Sequence, residues 1–316
     1  MDLTIATLKN FSKILSDNVS AATAILSRIK ELKGYITLAG GDGIEEGIEY
    51  AENGTFKWYS GFEALDISES AILTSASYAW KQASCNVIMT GLETRANKDS
   101  ETRREDLLAS KMTNAEHTMK DNVSHALFSD GTGSSGKEIG GLQLLVSDAP
   151  ATTVVGGIDA STNAWWRNQV YSLATDGGVT GGTPTSDQYL DAMEEMLLRT
   201  TRGADSADLI VADANHFRIY KKALRDKLQI TSLKIGDASF QALEFNGKPV
   251  IYDAFAPANH TYFLNCKYLK LKAHEDANFS LDEERIVVDK DAKVYPMLFM
   301  GNLTCSNRNL QGVIKA

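Results

Sequence analysis

The sequence predicts an α+β chain of several modules: an N-terminal helical arm, an extended hairpin, a module built on one long helix, and an α/β module. Three observations carry this. Apolar residues recur three or four positions apart over two long stretches, as in amphipathic helices. Asn53-Gly54 and Asn246-Gly247 sit between alternating runs, and Asn-Gly tolerates the positive φ that a two-residue hairpin turn needs. Between residues 208 and 286, strand-like runs alternate with a helical one, the pattern of an α/β layer.

The arm spans residues 1–33. Leu8, Phe11, Leu15, Val19, Ala22, Leu26 and Ile29 form its stripe, and Gly34 is placed to end the helix. Nothing beside the stripe in sequence covers it, so the arm has to fold back or dock on a partner. Residues 34–70 read as an extended hairpin turning at Asn53-Gly54. Phe56, Trp58 and Phe62 share one parity, with Lys57 and Tyr59 on the other. Two strands alone have no core, so these aromatics call for a neighbour; packing on the chain's own body is the simpler alternative. Lys57 reads as a charge that guards a strand edge.

Residues 71–186 form the next module. Residues 71–94 are extended and close at Gly91. With Ser100 as N-cap, a helix is expected over 101–128, its stripe built from Leu107, Leu108, Met112, Ala115, Met119, Val123 and Leu127. At 1.5 Å per residue it would be a strut about 40 Å long. Ser129-Asp130-Gly131 ends it, and residues 131–186 are irregular and rich in Gly, Ser and Thr. Trp165-Trp166 reads as a small anchoring core, with a partner platform as the alternative. Asp187 is expected to cap a helix to about Arg202 and so open the α/β module, residues 187–286. Within it come a strand at 209–211, a helix at 215–225, the Asn246-Gly247 hairpin, and strands at 261–264 and 268–272. The tail, residues 287–316, alternates and reads as strands returning to the sheet of the 71–186 module.

The chain has 316 residues, 43% hydrophobic and 23% charged, which suits a sizeable core and excludes disorder. A formal charge of −9 argues against gripping nucleic acid by phosphate neutralisation. Cys85, Cys266 and Cys305 lack CxxC spacing, so they read as buried thiols in a reducing compartment. Met1-Asp2-Leu3-Thr4 opens no signal-peptide pattern, and no run of about 18 apolar residues occurs; neither secretion nor a membrane span is expected.

No catalytic constellation emerges. Gly131-Thr132-Gly133-Ser134-Ser135-Gly136-Lys137 has the spacing of a phosphate loop, but Glu138 stands where a hydroxyl is needed, and a helix precedes the loop where a strand should. It reads as a turn. His117, His125, His216, His260 and His274 show no metal-ligand spacing. Glu45-Glu46 and Glu283-Glu284 would point to opposite strand faces and read as solvated charges. No catalytic residue, metal site or cofactor is expected.

The order of elements, with several local stretches, resembles the major capsid proteins of tailed bacteriophages, a fold shared with encapsulins and the herpesvirus capsid floor. Ala126-Leu127-Phe128-Ser129-Asp130-Gly131-Thr132-Gly133, followed by Ile139-Gly140-Gly141-Leu142, is similar to that family's junction between spine helix and peripheral domain. Asp208-Leu209-Ile210-Val211-Ala212 with Asn215-His216-Phe217 and Lys221-Lys222-Ala223-Leu224 resembles its axial-domain strand and helix. Phe245-Asn246-Gly247-Lys248-Pro249-Val250 resembles its hairpin, and Gly156-Gly157-Ile158 through Trp165-Trp166-Arg167-Asn168 also fits. Each motif is weak alone; specificity comes from their order, which covers nearly the whole chain.

The resemblance implies a spine helix at 101–128, a peripheral domain from 71–186 with returning strands at 287–316, and an axial domain at 187–286. It implies that residues 34–70, with Phe56, Lys57, Trp58, Tyr59 and Phe62, lie on a neighbouring subunit. Leu8, Phe11, Leu15, Val19 and Leu26 would pack the arm, and Asp130, Gly131, Thr132 and Gly133 would form the spine-to-peripheral junction. The implied function is a self-assembling icosahedral shell of pentamers and hexamers, in the virion and, during assembly, in host cytoplasm. It would enclose DNA without sequence-specific binding or a membrane, alongside a portal. Relatives often carry a long scaffolding segment before the arm; here the arm begins at once, which implies a separate scaffolding protein or none. A few relatives cross-link a hairpin lysine to a peripheral asparagine, for which Lys57 and Asn302, Asn307 or Asn309 are the candidates. The alternatives are an encapsulin-type nanocompartment and, in another class, an α/β enzyme or sugar-binding protein working through 187–286.

Overall fold

Two β-sheets and one long helix organise the chain. The structure is a computed structural model that describes residues 24–96, 101–180, 183–226, 232–233, 242–286 and 290–316. Leu8, Phe11, Leu15, Val19 and the cap expected at Ser100 lie outside the described residues.

The described part of the arm is helix α1 (Ala24–Glu31), with Ile25, Leu26 and Ile29 buried in the chain's own core. Lys33, at φ 56°, takes the left-handed position expected of Gly34. Gly34 is required for a different reason: a Cβ there would lie 2.9 Å from the Leu269 carbonyl oxygen. Strands β1 (Tyr35–Leu38), β2 (Ile44–Glu49), β3 (Leu73–Tyr78) and β4 (Lys81–Thr90) follow, then α2 (Gly91–Ala96) and the long α3 (Glu101–Ala126). The 26 residues of α3 span about 39 Å. Met112, Ala115, Met119, Val123 and Leu127 are buried, as the stripe predicts, and the helix lies against β4.

Residues 131–180 hold the short α4 (Leu142–Leu145), the small hairpin β5 (Val154–Val155) and β6 (Ile158–Asp159), and β7 (Gln169–Ser172). Next come α5 (Ser186–Arg199), β8 (Leu209–Ala212), α6 (Ala214–Asp226), β9 (Ser232–Leu233), β10 (Ala242–Phe245) and β11 (Lys248–Tyr252). The chain closes with β12 (His260–Leu264), β13 (Leu269–Leu281), β14 (Arg285–Ile286), β15 (Ala292–Cys305) and β16 (Gly312–Lys315). The Asn246-Gly247 turn forms as expected, both residues at positive φ between β10 and β11. The α5 cap differs: Thr185, not Asp187, closes a capping box with Gln188, and Asp187 sits in the first turn facing the helix dipole.

The first sheet orders β1-β13-β15-β14, with β4 also paired to β15. The second orders β7-β16-β12-β8-β11-β10-β9, with α5 and α6 packed on it. This corrects the expected boundaries. The strand after β12 leaves the α/β sheet, because β13 pairs with β1 and β15, so the α/β module does not run to residue 286. The tail divides instead of returning whole: β15 joins the first sheet, while β16 pairs with β12 and β7 in the second. Alternation marks a strand but not its sheet.

The hairpin is also re-registered. β2 pairs antiparallel with β3, Ile44 opposite Tyr78 and Glu49 opposite Leu73, so the connection is a loop over residues 50–72. The strand before it, β1, pairs with β13 instead. Asn53-Gly54 is no strand-joining turn, because the Asn53 side chain accepts from the Thr55 amide at 3.1 Å and holds a local turn.

Candidate assembly surfaces

Loop 50–72 projects from a root that the chain fixes from two sides. On one side, the inward parity of β2 is Ile44, Glu46 and Ile48. Glu46 is 5% exposed. Its carboxylate lies 2.8 Å from Lys272 Nζ and 3.2 Å from Lys270 Nζ, and accepts from the Thr304 hydroxyl at 2.8 Å. Burial alone would push the Glu46 carboxyl up. The Lys272 and Thr304 hydrogen bonds, with both lysine charges, outweigh it and hold the group below its usual range. This corrects the sequence reading of Glu45-Glu46 as a solvated pair: the two do face opposite ways, but only Glu45 is exposed. On β3, the Tyr78 hydroxyl donates to the Cys305 carbonyl at 2.8 Å.

On the other side stands the tryptophan pair. Trp166 is buried, and its indole donates to the Val155 carbonyl at 2.9 Å. Trp165 packs on Trp166 and stacks on Tyr50 at 5.3 Å, where the loop begins. Arg308, fully buried, lies over the Trp166 ring and donates to the Leu145 carbonyl at 2.7 Å, the Trp166 carbonyl at 3.1 Å and Asn168 Oδ1 at 3.1 Å. Burial lowers its affinity for the proton, and among the described residues carbonyl dipoles, not a carboxylate, meet the charge. The pair is therefore an anchoring core, as expected, and it secures the loop root.

Beyond the root the loop is bare. Trp58 is 90% exposed and Phe62 110%; Phe56, Tyr59, Leu65, Ile67 and Leu73 are exposed too. Phe56 and Trp58 meet edge to face at 5.6 Å, and Lys57 Nζ donates to the Ala64 carbonyl, so the loop is shaped by its own contacts. Together these residues expose on the order of 900 Å² of side-chain surface. Monomers rarely show apolar patches above a few hundred Å², and about 800 Å² is what one partner contributes to a standard interface.

At the junction after α3, Asp130 Oδ1 accepts from the Thr132 amide at 2.9 Å and the Thr132 hydroxyl at 2.7 Å, and Gly131 takes φ 77°. Those bonds hold the Asp130 carboxyl below its usual range. Ser134 and Ser135, both left-handed, complete a turn rather than a phosphate-binding helix start, and Glu138 binds the Ser129 hydroxyl at 2.9 Å. The chain then crosses the end of α3 at Gly141, where a Cβ would stand 2.4 Å from the Ala126 carbonyl oxygen. Of the cross-link candidates, Asn302 is buried and its amide is committed to Gly140 and Ala79.

Cavities of about 710 and 450 Å³ flank β4. Among the described residues no hydrogen bond or ion pair joins the titratable groups lining them, Lys81, Cys85, His125, Lys137 and Glu138. In the α/β module, Tyr189, Thr261 and His216 form a buried chain through bonds of 2.8 and 2.9 Å. Burial pushes the His216 imidazole down to about 4, and the ring is sealed from solvent. Among the described residues no cluster could hold a metal ion, and no helix is long and apolar enough to cross a membrane.

Solved structures place this architecture. The capsid of cyanophage A-1(L) matches with a TM-score of 0.63 and 15% identity, covering 92% of both chains. The fold is that of the tailed-phage capsid proteins. A second capsid-fold match is the capsid of a native GTA particle, at TM-score 0.58 and 13% identity, covering 92% of this chain and 89% of that one. An encapsulin from Synechococcus elongatus matches at 0.57 and 11%, covering 89% and 84%. No protein-family model and no curated protein matches the chain. In this capsid fold the missed residues are Glu46, Lys272 and Arg308. A glutamate at an inward strand position was the available signal for the first; nothing local marks the arginine.

Proposed function

We propose that the chain is the subunit of an icosahedral capsid shell, assembling as pentamers and hexamers that enclose phage DNA. The observation that carries this is the aromatic loop: a large apolar surface, left bare on a root fixed by Glu46 and Trp165, in a chain with the capsid fold. A bare surface of that size marks an interaction site, and heterologous contacts between copies close around symmetry axes. The net charge of −9 keeps enclosed DNA from adhering to the wall. A separate scaffolding protein guides the size of the shell and a portal completes it, while the contacts between copies are the chain's own; the chain then belongs to the virion and, earlier, to host cytoplasm. In this assignment β7, residues 183–264 and β16 form the axial domain, and the first sheet with α3 forms the peripheral domain.

Removing residues 52–70 while keeping β2 and β3 tests the assignment. The shortened chain is expected to remain folded and to form no shells; normal shells from it would overturn the role of the loop. The encapsulin match supports one second reading, a protein-loaded nanocompartment. Nuclease-protected DNA inside purified shells separates the two.

A further inference from the structure

The α/β module carries two exposed charged stripes of opposite sign. On α6, Arg218, Lys221, Lys222 and Arg225 are exposed, and at 3.6 residues per turn they fall within about 100° of azimuth. Tyr220 and Ala223 bury the opposite face of that helix. On α5, Asp187, Asp191 and Glu194 are exposed and lie within about 60°, while Ala192, Met193 and Met196 face the core. Glu195 pairs within its own helix with Arg199 at 2.9 Å, and Arg199 also donates to the Val170 carbonyl, so that cation is taken up locally.

The two helices pack side by side, yet no ion pair joins the stripes. None of the seven charges has an oppositely charged partner among the described residues. Four unpaired cations on one helix stand out in a chain of formal charge −9. A phosphate backbone approaching them would also meet the acidic stripe beside them. A second copy of the chain presents that acidic stripe with matching length, 14 residues in α5 against 13 in α6.

We propose that the basic stripe of α6 docks on the acidic stripe of α5 from a second copy of this chain, a reciprocal contact in which α6 of each copy meets α5 of the other. The pairing rests on the shell assignment above. Because the charges are exposed, they set register and orientation more than raw affinity, and the contact is sensitive to salt.

Sedimentation velocity of the full chain tests the pairing, with K221E/K222E, D191K/E194K and the four changes combined. All four sites are exposed, so urea midpoints are expected to stay at the wild-type value. Each double variant is expected to weaken self-association at least tenfold, and the combined variant to recover it to within about threefold. Wild-type association is expected to weaken between about 0.1 and about 1 M salt, as the Debye length falls from about 10 to about 3 Å. Wild-type shells with unaffected double variants, or a combined variant that recovers nothing, overturn the pairing and leave the shell assignment standing. So does loss of binding to a short DNA duplex in K221E/K222E with self-association unchanged, which would make nucleic acid the partner. A wild-type chain that stays monomeric at every concentration overturns both.

Discussion

Replacing Glu46 by Gln isolates the electrostatic anchor of the loop root. The side chain keeps its shape and one acceptor oxygen, but Lys272, whose side chain is 10% exposed, loses a countercharge 2.8 Å away. At an effective dielectric constant near 20 that attraction is about 6 kcal/mol before desolvation is subtracted. Breaking a buried pair from one side typically costs about 3–5 kcal/mol. Lys270, at 31% exposure, recovers water on its own, which sets the expected loss for E46Q at about 3 kcal/mol. Adding Lys272→Met removes the stranded charge, and E46Q/K272M is expected within about 1 kcal/mol of wild type. The assay is urea unfolding, followed by near-UV and far-UV circular dichroism, at neutral pH and at falling pH. The Glu46 carboxyl is held below its ordinary 4.5. Its contribution is therefore present above that pH and disappears as pH falls through the depressed value, and E46Q flattens this acid limb. An E46Q chain within 0.5 kcal/mol of wild type, roughly the scatter of surface substitutions, would refute the anchor. A double variant less stable than the single would do the same.

Three further perturbations follow from the same geometry. W58S/F62S is expected to leave the urea midpoint unchanged, because both side chains are solvent-exposed, and to abolish shells seen by electron microscopy; a large drop in midpoint would contradict it. Gly141→Ala forces a Cβ to within 2.4 Å of a carbonyl oxygen, and a loss of about 3 kcal/mol or failure to fold is expected, read from soluble yield and the urea midpoint. His260 Nε2 donates to Asp148 Oδ2 at 2.8 Å and Nδ1 to the Ala258 carbonyl at 2.7 Å; burial alone would lower its proton affinity, but the Asp148 hydrogen bond and charge with the Ala258 carbonyl raise it above 6.5. That stabilisation is complete below pH 6.5 and is lost as pH rises through the elevated value, so H260Q is expected to remove the alkaline-side decline; because His260 also holds the Asp148 carboxyl below its usual range, the acid limb is expected to weaken with it.

Much of the architecture is legible along the chain. The α3 stripe, the β10–β11 turn and the α6 helix follow from local periodicity and turn chemistry, which short-range physics decides. The errors arise where partners distant in sequence compete. Asn53-Gly54 has the chemistry of a hairpin turn, but its side chain closes a local turn, and β2 finds β3 across the loop. The destinations of β13 and β16 depend on which sheet edge is open, and alternation carries no such information. At the candidate surface, the exposed aromatics were visible as a run with no core of its own. Glu46, Lys272 and Arg308 were not, since a buried charge looks like a solvated one until its partners, more than 200 residues away for Glu46 and Lys272, are in place.

Electron microscopy of the purified, untagged full-length chain, with sedimentation velocity on the same sample, tests the shell most directly. Uniform closed shells or five- and six-membered rings are expected, and they should vanish when residues 52–70 are removed. A chain that remains a monomer or a small discrete oligomer at every salt and protein concentration would contradict assembly as its function.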